Sequence, residues 1–272
     1  MYHQFYKFKE DPFNVTSDPD FFFSSVHHAE AFSHVVYGIQ QRKGIIVVTG
    51  EIGTGKTTLC RMLLNRLDDH VRTAIILNPQ FSETQLLHLI LKDLGIESRL
   101  RSKLALTETL NQFLLEQSSQ GHNVVLIIDE AQNLSVRQLE QIRLLSNLET
   151  EKTKLLQIVL VGQPELLDKL KLSALRQLNQ RVAVRYHLLP LTKDEIHNYI
   201  LHRIKVASLI PNHQPSVTFT PEATETIFNL SKGTPRLINI ICDRALLSGF
   251  VKEIHTINEK IIVQCAREVS KL

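Results

Sequence analysis

The stretch Gly50-Glu51-Ile52-Gly53-Thr54-Gly55-Lys56-Thr57-Thr58 follows the apolar run Ile45–Val48 and constrains this chain more than any other feature. Gly50, Gly55, Lys56 and Thr57 stand at the spacing of the phosphate-binding loop GxxxxGK[ST]. Glycines let a backbone approach an anion closely and aim its N–H groups at phosphate oxygens. A helix that starts at the lysine adds the positive end of its dipole. The spacing gives Lys56 the β- and γ-phosphates and Thr57 a Mg²⁺ ion. All nine residues from Gly50 to Thr58 are therefore candidate nucleotide contacts. The pattern also fixes its surroundings, because it works only between a buried strand and a helix.

That surrounding pattern is present. Strand-like runs lie at 45–49, 74–77, 124–129, 155–162 and 182–188, and the first three are near-continuous aliphatic stretches, as strands buried on both faces require. Helix-like stretches at 56–67, 83–94, 107–117, 135–148 and 164–178 separate them. Alternation of this kind predicts an α/β core with a five-stranded parallel sheet, from about residue 44 to 189. After Leu189–Leu191 the strand pattern stops. Thr192 with Glu195 reads as a capping box, and Thr220 with Pro221 as an N-cap followed by proline in the first turn. Residues 190–272 are expected to form a small all-helical lid domain, with Pro211–Ser216 as a loop. Residues 1–43 are expected to be an N-terminal extension packed on the core.

A second set of residues falls where such a core places chemistry. Val124–Ile128 carry Asp129 and Glu130 to the carboxyl end of a strand, the edge at which open α/β sheets bind ligands. Asp129 is expected to hold Mg²⁺ and Glu130 to polarise the attacking water. Gln163, ending the next strand, is placed to orient that water or touch the γ-phosphate. Arg181 lies between a helix and the last strand and is the arginine-finger candidate, with Arg176 as the alternative. Arg185 lies in that strand, on the face opposite Val182, Val184, Tyr186 and Leu188. Arg236, after Gly233 and Pro235, could reach the γ-phosphate from the lid.

Composition narrows the remaining classes. The chain has 272 residues, 43% hydrophobic but only 6% aromatic with no tryptophan, so aliphatic side chains must build the core. A net charge of +3 without like-charge runs neither demands nor excludes a nucleic-acid partner. Cys60, Cys242 and Cys265 lack metal spacing and read as reduced thiols. The N-terminus is not a signal peptide, and no apolar run approaches the ~20 residues of a membrane span. Expected localisation is cytoplasmic. His27 and His28 are adjacent, point differently from a helix and make a poor metal pair; no structural metal is expected.

Together these motifs resemble those of the AAA+ ATPases. "MYHQFYKFKEDPFNVTSDPDFFF", "HAEAFSHVVYGI", "GEIGTGKTT", "IIDEAQNLS", "IRLLSNLETEKTKLLQIVLVGQPEL", "LRQLNQRVAVRYHLLPL" and "GTPRLINIICDRALL" resemble more closely still the ExeA/GspA-type ATPases of general secretion, over nearly the whole chain. Similar ATPases serve pilus and exopolysaccharide export systems. The resemblance implies an ATP-hydrolysing, self-associating factor, a dimer or ring-like oligomer. It would act with an inner-membrane partner protein, at the inner face of that membrane, to help assemble a secretin. It gives Lys56, Thr57, Asp129 and Glu130 the nucleotide chemistry and Arg236 the role of second sensor. It also sets the N-terminal segment near the adenine, with Phe8, Phe13 and Val15 as contacts. Two departures stand out. Ser17 replaces the proline of the usual "TPDP", and longer members continue into a membrane span and a periplasmic peptidoglycan-binding region. Direct peptidoglycan binding by these 272 residues is not expected.

Two further readings compete. ATP-dependent DNA-binding switches of the MuB/TnsC transposition type share the general architecture. A nucleotide-binding scaffold without turnover is the other, and the intact Glu130 argues against it.

Overall fold

The computed structural model describes residues 2–68, 70–79, 81–151, 153–209 and 216–269. The loop expected at Pro211–Ser216 lies, but for Ser216, outside them. A short helix α1 (His3–Tyr6) opens the chain, followed by α2 (Val26–Gln40), β1 (Ile45–Gly50) and α3 (Lys56–Arg66). Next come β2 (Val71–Ile76), α4 (Glu83–Asp93), α5 (Lys103–Ser119), β3 (Asn123–Ile128) and α6 (Val136–Leu145). β4 (Leu156–Gly162), α7 (Glu165–Leu170), α8 (Arg176–Gln180) and β5 (Val182–Leu188) complete the sheet region. The C-terminal part holds α9 (Glu195–Ala207), β6 (Thr218–Phe219), α10 (Pro221–Ser231), α11 (Pro235–Val251), β7 (Thr256–Ile257) and α12 (Glu259–Val269).

The chain divides into two units. The sheet unit comprises Ala29–Ile52 and Leu59–Leu188; the helical unit comprises Met1–His28, Gly53–Thr58 and Leu189–Leu272.

The sheet unit is built on five parallel strands in the order β2-β3-β4-β1-β5. Every residue of β1 and β4 is buried, whereas the edge strand β5 alternates between half-buried and exposed positions until its last residue. Continuous aliphatic runs therefore take the centre and an alternating run takes an edge. Parallel pairing brings all five carboxyl ends to one side. The register sets Thr49 opposite Gly162, and Ile128 opposite Leu160. Asp129 and Glu130 thus emerge level with the end of β1.

The expected helix 164–178 is broken. Leu172 is extended, at ψ 142°, and a single 3-10 turn (Ser173–Leu175) separates α7 from α8. In an unbroken helix Leu170 and Leu175 would differ by about 140° around the axis. The break resets that phase, and Leu166, Leu170, Leu175 and Leu178 all enter the core.

The helical unit has its own core, and the N-terminal extension belongs to it. Tyr2, Tyr6, Phe8, Phe13 and Phe21 bury with Ile196, Ile227, Ile241 and Ile262 rather than with the sheet's aliphatics. Of the expected extension 1–43, residues up to His28 group with the helical unit and those from Ala29 on with the sheet unit. The aromatic spacing marks these residues for burial but not which aliphatic surface receives them. Arg203 fixes the segment: its Nε donates to the Pro12 carbonyl at 2.5 Å and a terminal nitrogen to the Asn14 carbonyl at 2.8 Å. Its guanidinium also lies 4.7 Å from the Phe21 ring centre. Among the described residues its strand pairing is limited to the two-residue parallel pair β6-β7 and an isolated antiparallel bridge between Phe8 and Ser208.

Local signals in this unit act largely as expected. Thr220 Oγ1 accepts from Ala223 N at 3.2 Å, with Pro221 at the first helical position. The Thr192–Glu195 pair differs. Glu195 does reach back to Thr192 N at 2.9 Å, but the Thr192 hydroxyl donates to the same carboxylate instead of capping, and α9 begins at Glu195.

Candidate nucleotide site

The loop after β1 has the backbone the glycine pattern requires. Gly53 and Gly55 both adopt left-handed conformations, at φ +80° and +96°. A Cβ at Gly53 would approach Arg236 Cβ to 2.7 Å, and one at Gly55 would approach His28 Nε2 to 2.9 Å. Both positions therefore need glycine for conformation and for space. Thr54 and Lys56 are buried, while Glu51 and Ile52 are exposed. Lys56 opens α3, an 11-residue helix, so first-turn N–H groups and a lysine stand together at the end of the loop.

Within the helical unit two distant residues fasten the loop through its carbonyls. Arg236 N donates to Gly53 O at 3.2 Å, so the arginine expected in the lid lies against the loop, with its side chain exposed. Gly233, at φ +77°, permits this turn, because a Cβ there would run into the Leu191 carbonyl; Leu191 N also donates to Gly233 O at 2.9 Å. The second fastener is His28, whose Nε2 lies 2.9 Å from Thr54 O. Sequence reasoning gave His28 no role. Its signal is purely tertiary.

Within the sheet unit the acidic pair forms a compact corner. Asp129 is 2% exposed; its N–H donates to Ile76 O, and its Oδ1 accepts from Glu130 N at 2.9 Å. Glu130 itself is left-handed, at φ 51° and ψ 36°. A non-glycine residue in this region stores strain, which concentrates at functional sites. Two amides hold its carboxylate: Gln132 Nε2 donates to Oε2 at 2.5 Å and Gln163 Nε2 to the same oxygen at 3.4 Å. Gln132 Oε1 in turn accepts from Gln163 N at 3.0 Å. Gly162 makes room for this, since a Cβ there would meet Gln132 Oε1 at 2.8 Å. Lys169 secures the turn from below, donating to Gln132 O and, at 2.9 Å, to Leu134 O. Gln163 thus stands beside Glu130, and Gln132 and Lys169 join the corner although sequence reasoning gives them no role. The "DEAQ" string contains Gln132, but spacing alone does not say where an amide points.

The arginines of α8 and β5 lie elsewhere. Arg176 opens α8 and Arg181 caps it, both exposed. Val182 pairs with Ile45, the first residue of β1, so Arg181 sits at the amino end of the sheet, opposite the acidic corner. Arg185 donates to Asn179 at 2.7 Å and 2.9 Å. Of the expected adenine contacts, Phe8 and Phe13 are buried in the helical unit and Val15 is exposed. The three cysteines are buried and form no disulfide. Among the described residues no helix is long and apolar enough to cross a membrane.

A glycine cradle at a helix start suits a phosphate anion, and a buried carboxylate suits a hard divalent cation. The fold is that of an AAA-type P-loop ATPase domain. An AAA domain family model matches residues 39–170. The chain is 44% identical over 271 residues to general secretion pathway protein A of Aeromonas hydrophila, a match covering 99% of this chain and 49% of that protein. The chain is thus similar to an ATPase of that type over nearly its whole length, and it spans about half the length of this relative. The ORC2 protein of Aeropyrum pernix shares the fold at TM-score 0.72 and 17% identity, covering 96% of this chain and 72% of that one. The RuvB Holliday junction branch migration motor of Thermotoga maritima does so at TM-score 0.60 and 20% identity, covering 94% and 72%.

Proposed function

We propose that this chain hydrolyses ATP and uses the cycle to assemble a bacterial envelope secretion, pilus or export machine. The enzymatic reading is carried by the Glu130 corner. A carboxylate on a strained backbone, at the carboxyl edge of the sheet and aimed by two amides, suits a general base and serves no evident packing purpose. The link to an envelope machine rests on the similarity to general secretion pathway protein A.

In this reading the backbone of Gly50–Gly55 and the first turn of α3 would cradle the phosphates, with Lys56 on the β- and γ-oxygens. Thr58 would add a first-turn N–H, and Glu51 and Ile52 would form the outer wall. Thr57 and Asp129 would hold Mg²⁺, which supplies charge neutralisation on the transferring phosphoryl group. Glu130 would take the proton of the attacking water. Gln163 and Gln132 would hold that carboxylate in position. Arg236 would report the γ-phosphate to the lid.

Arg181 cannot serve this corner from its own sheet, since it stands at the opposite end. It would act on a neighbouring subunit, with exposed Arg176 beside it as the alternative. Hydrolysis would then depend on self-association into a dimer or ring. A partner protein in the inner membrane would hold the chain at the cytoplasmic face.

The test is phosphate release per subunit against protein concentration, with Arg181→Ala and Arg176→Ala alongside, with and without duplex DNA. Turnover that rises with concentration, falls in one arginine variant and ignores DNA supports the proposal. Turnover seen only with DNA moves the reading to a nucleic-acid switch.

A further inference from the structure

The Ser25–His28 pair lies outside every motif of the nucleotide site, yet its geometry bears directly on the phosphate loop. The His28 ring is buried, and both its nitrogens are used. A carbonyl only accepts, so the Nε2 that lies 2.9 Å from Thr54 O carries the proton. Nδ1 is then the acceptor, and Ser25 Oγ donates to it at 2.7 Å. The His28 backbone N–H completes the loop by donating to Ser25 Oγ at 3.2 Å. Phe22 closes one side, edge-on to the imidazole with ring centres 5.5 Å apart. One tautomer and one ring orientation are thereby selected.

The consequence falls on a single peptide unit. The Thr54–Gly55 bond is planar and trans, so its C=O and N–H point in opposite directions. Holding the Thr54 carbonyl on His28 turns the Gly55 N–H away from the imidazole. Gly55 is also the position where a Cβ would strike that ring, so the histidine fills the space behind the loop.

We infer that His28, aligned by Ser25, is a positioning residue for the phosphate loop, fixing the Thr54–Gly55 peptide so that the Gly55 N–H is presented to a bound phosphate before nucleotide arrives. The role in binding rests on the nucleotide reading above; the orientation of the peptide does not.

The experiment has two arms on the full chain. In the first, amide hydrogen exchange across Gly53–Thr58 is followed in nucleotide-free wild type, His28→Ala, His28→Gln and Ser25→Ala. His28→Ala is expected to speed exchange in this segment by about tenfold, the effect of leaving one buried carbonyl without its donor. His28→Gln keeps a donor N–H at similar reach and is expected to restore protection. Ser25→Ala should fall between them. In the second arm, ADP and ATP affinities are measured on the same proteins and on Lys56→Ala. His28→Ala should bind about tenfold more weakly and His28→Gln close to wild type.

Unchanged exchange and affinity in His28→Ala overturn the inference and leave the nucleotide site intact. So does loss of protection that His28→Gln fails to restore, which would mark the ring as filler. Wild type that binds no nucleotide, alongside the expected exchange pattern, sinks the nucleotide reading and the binding role but keeps the peptide assignment. Should His28→Ala not fold, His28→Gln and Ser25→Ala decide, together with the histidine tautomer read by ¹⁵N NMR. A proton on Nδ1 contradicts the geometry.

Discussion

The acidic corner and the phosphate loop are held by opposite means. In the sheet unit, Glu130 is aimed by side-chain amides from Gln132, in the 3-10 turn after β3, and Gln163, just past the end of β4. In the helical unit, the loop is fastened by its own carbonyls, Gly53 to the Arg236 N–H and Thr54 to the His28 ring. The corner depends on which functional groups are present. The loop depends on where its backbone points. Chemistry should therefore fail first when the corner is altered, and affinity first when the loop's fasteners are altered.

The largest expected effect separates the two regions cleanly. Glu130→Gln removes the proposed base and should cut turnover by about 10²–10⁴-fold with nucleotide affinity preserved. Lys56→Ala should lose affinity, so paired binding and turnover measurements sort the two variants.

Gly53→Ala strikes the loop itself. Its φ of +80° and the 2.7 Å approach to Arg236 Cβ make an added methyl costly, at about 1–3 kcal/mol of strain. Titration calorimetry with ADP should show weaker binding, and an unaltered affinity would break the view that backbone geometry governs this region. Gln132→Ala is smaller. It removes the 2.5 Å bond to Glu130 and strands the Gln163 N–H, leaving the 3.4 Å amide contact. Turnover should fall about tenfold with affinity unchanged, since one hydrogen bond to a charged group contributes about 1.5–3 kcal/mol.

Smallest is a pH effect on stability. Burial holds the His28 imidazole below its ordinary value of 6.5, and burial with repulsion from Arg203 does the same to His202. A lowered folded value means the unfolded chain binds more protons as pH falls. Stability is then complete above 6.5 and lost as pH falls through it towards the folded values. The thermal midpoint should drop between about pH 7 and pH 5.5, and His28→Gln should flatten part of that slope. Glu195 contributes in a separate window. Burial pushes its carboxyl up, but N–H donors from Thr192 and Val26 outweigh this and leave it lowered, so its contribution disappears only in acid.

What the sequence revealed follows the same division. The five strands, the phosphate loop and the Asp129–Glu130 pair were legible because their evidence is contiguous: aliphatic runs, fixed glycine spacing, a charge at a strand end. The place of Gln163 at the end of β4 was legible from strand order. Gln132 and Lys169 were not, because an amide two residues past Glu130 and a lysine in α7 acquire roles only through the turn they share. His28 was beyond reach for the same reason, lying 26 positions from the carbonyl it holds. The aromatic N-terminal segment announces burial, but nothing local in it says which aliphatic surface receives it. The break at Leu172 stayed hidden because each leucine pair flanking it is locally helical.

The most direct test of the central claim is ATP binding and phosphate release measured together on wild type and Glu130→Gln. The account predicts that wild type releases phosphate, while the variant binds ATP equally well and retains it unhydrolysed. Phosphate release by Glu130→Gln at the wild-type rate would contradict it.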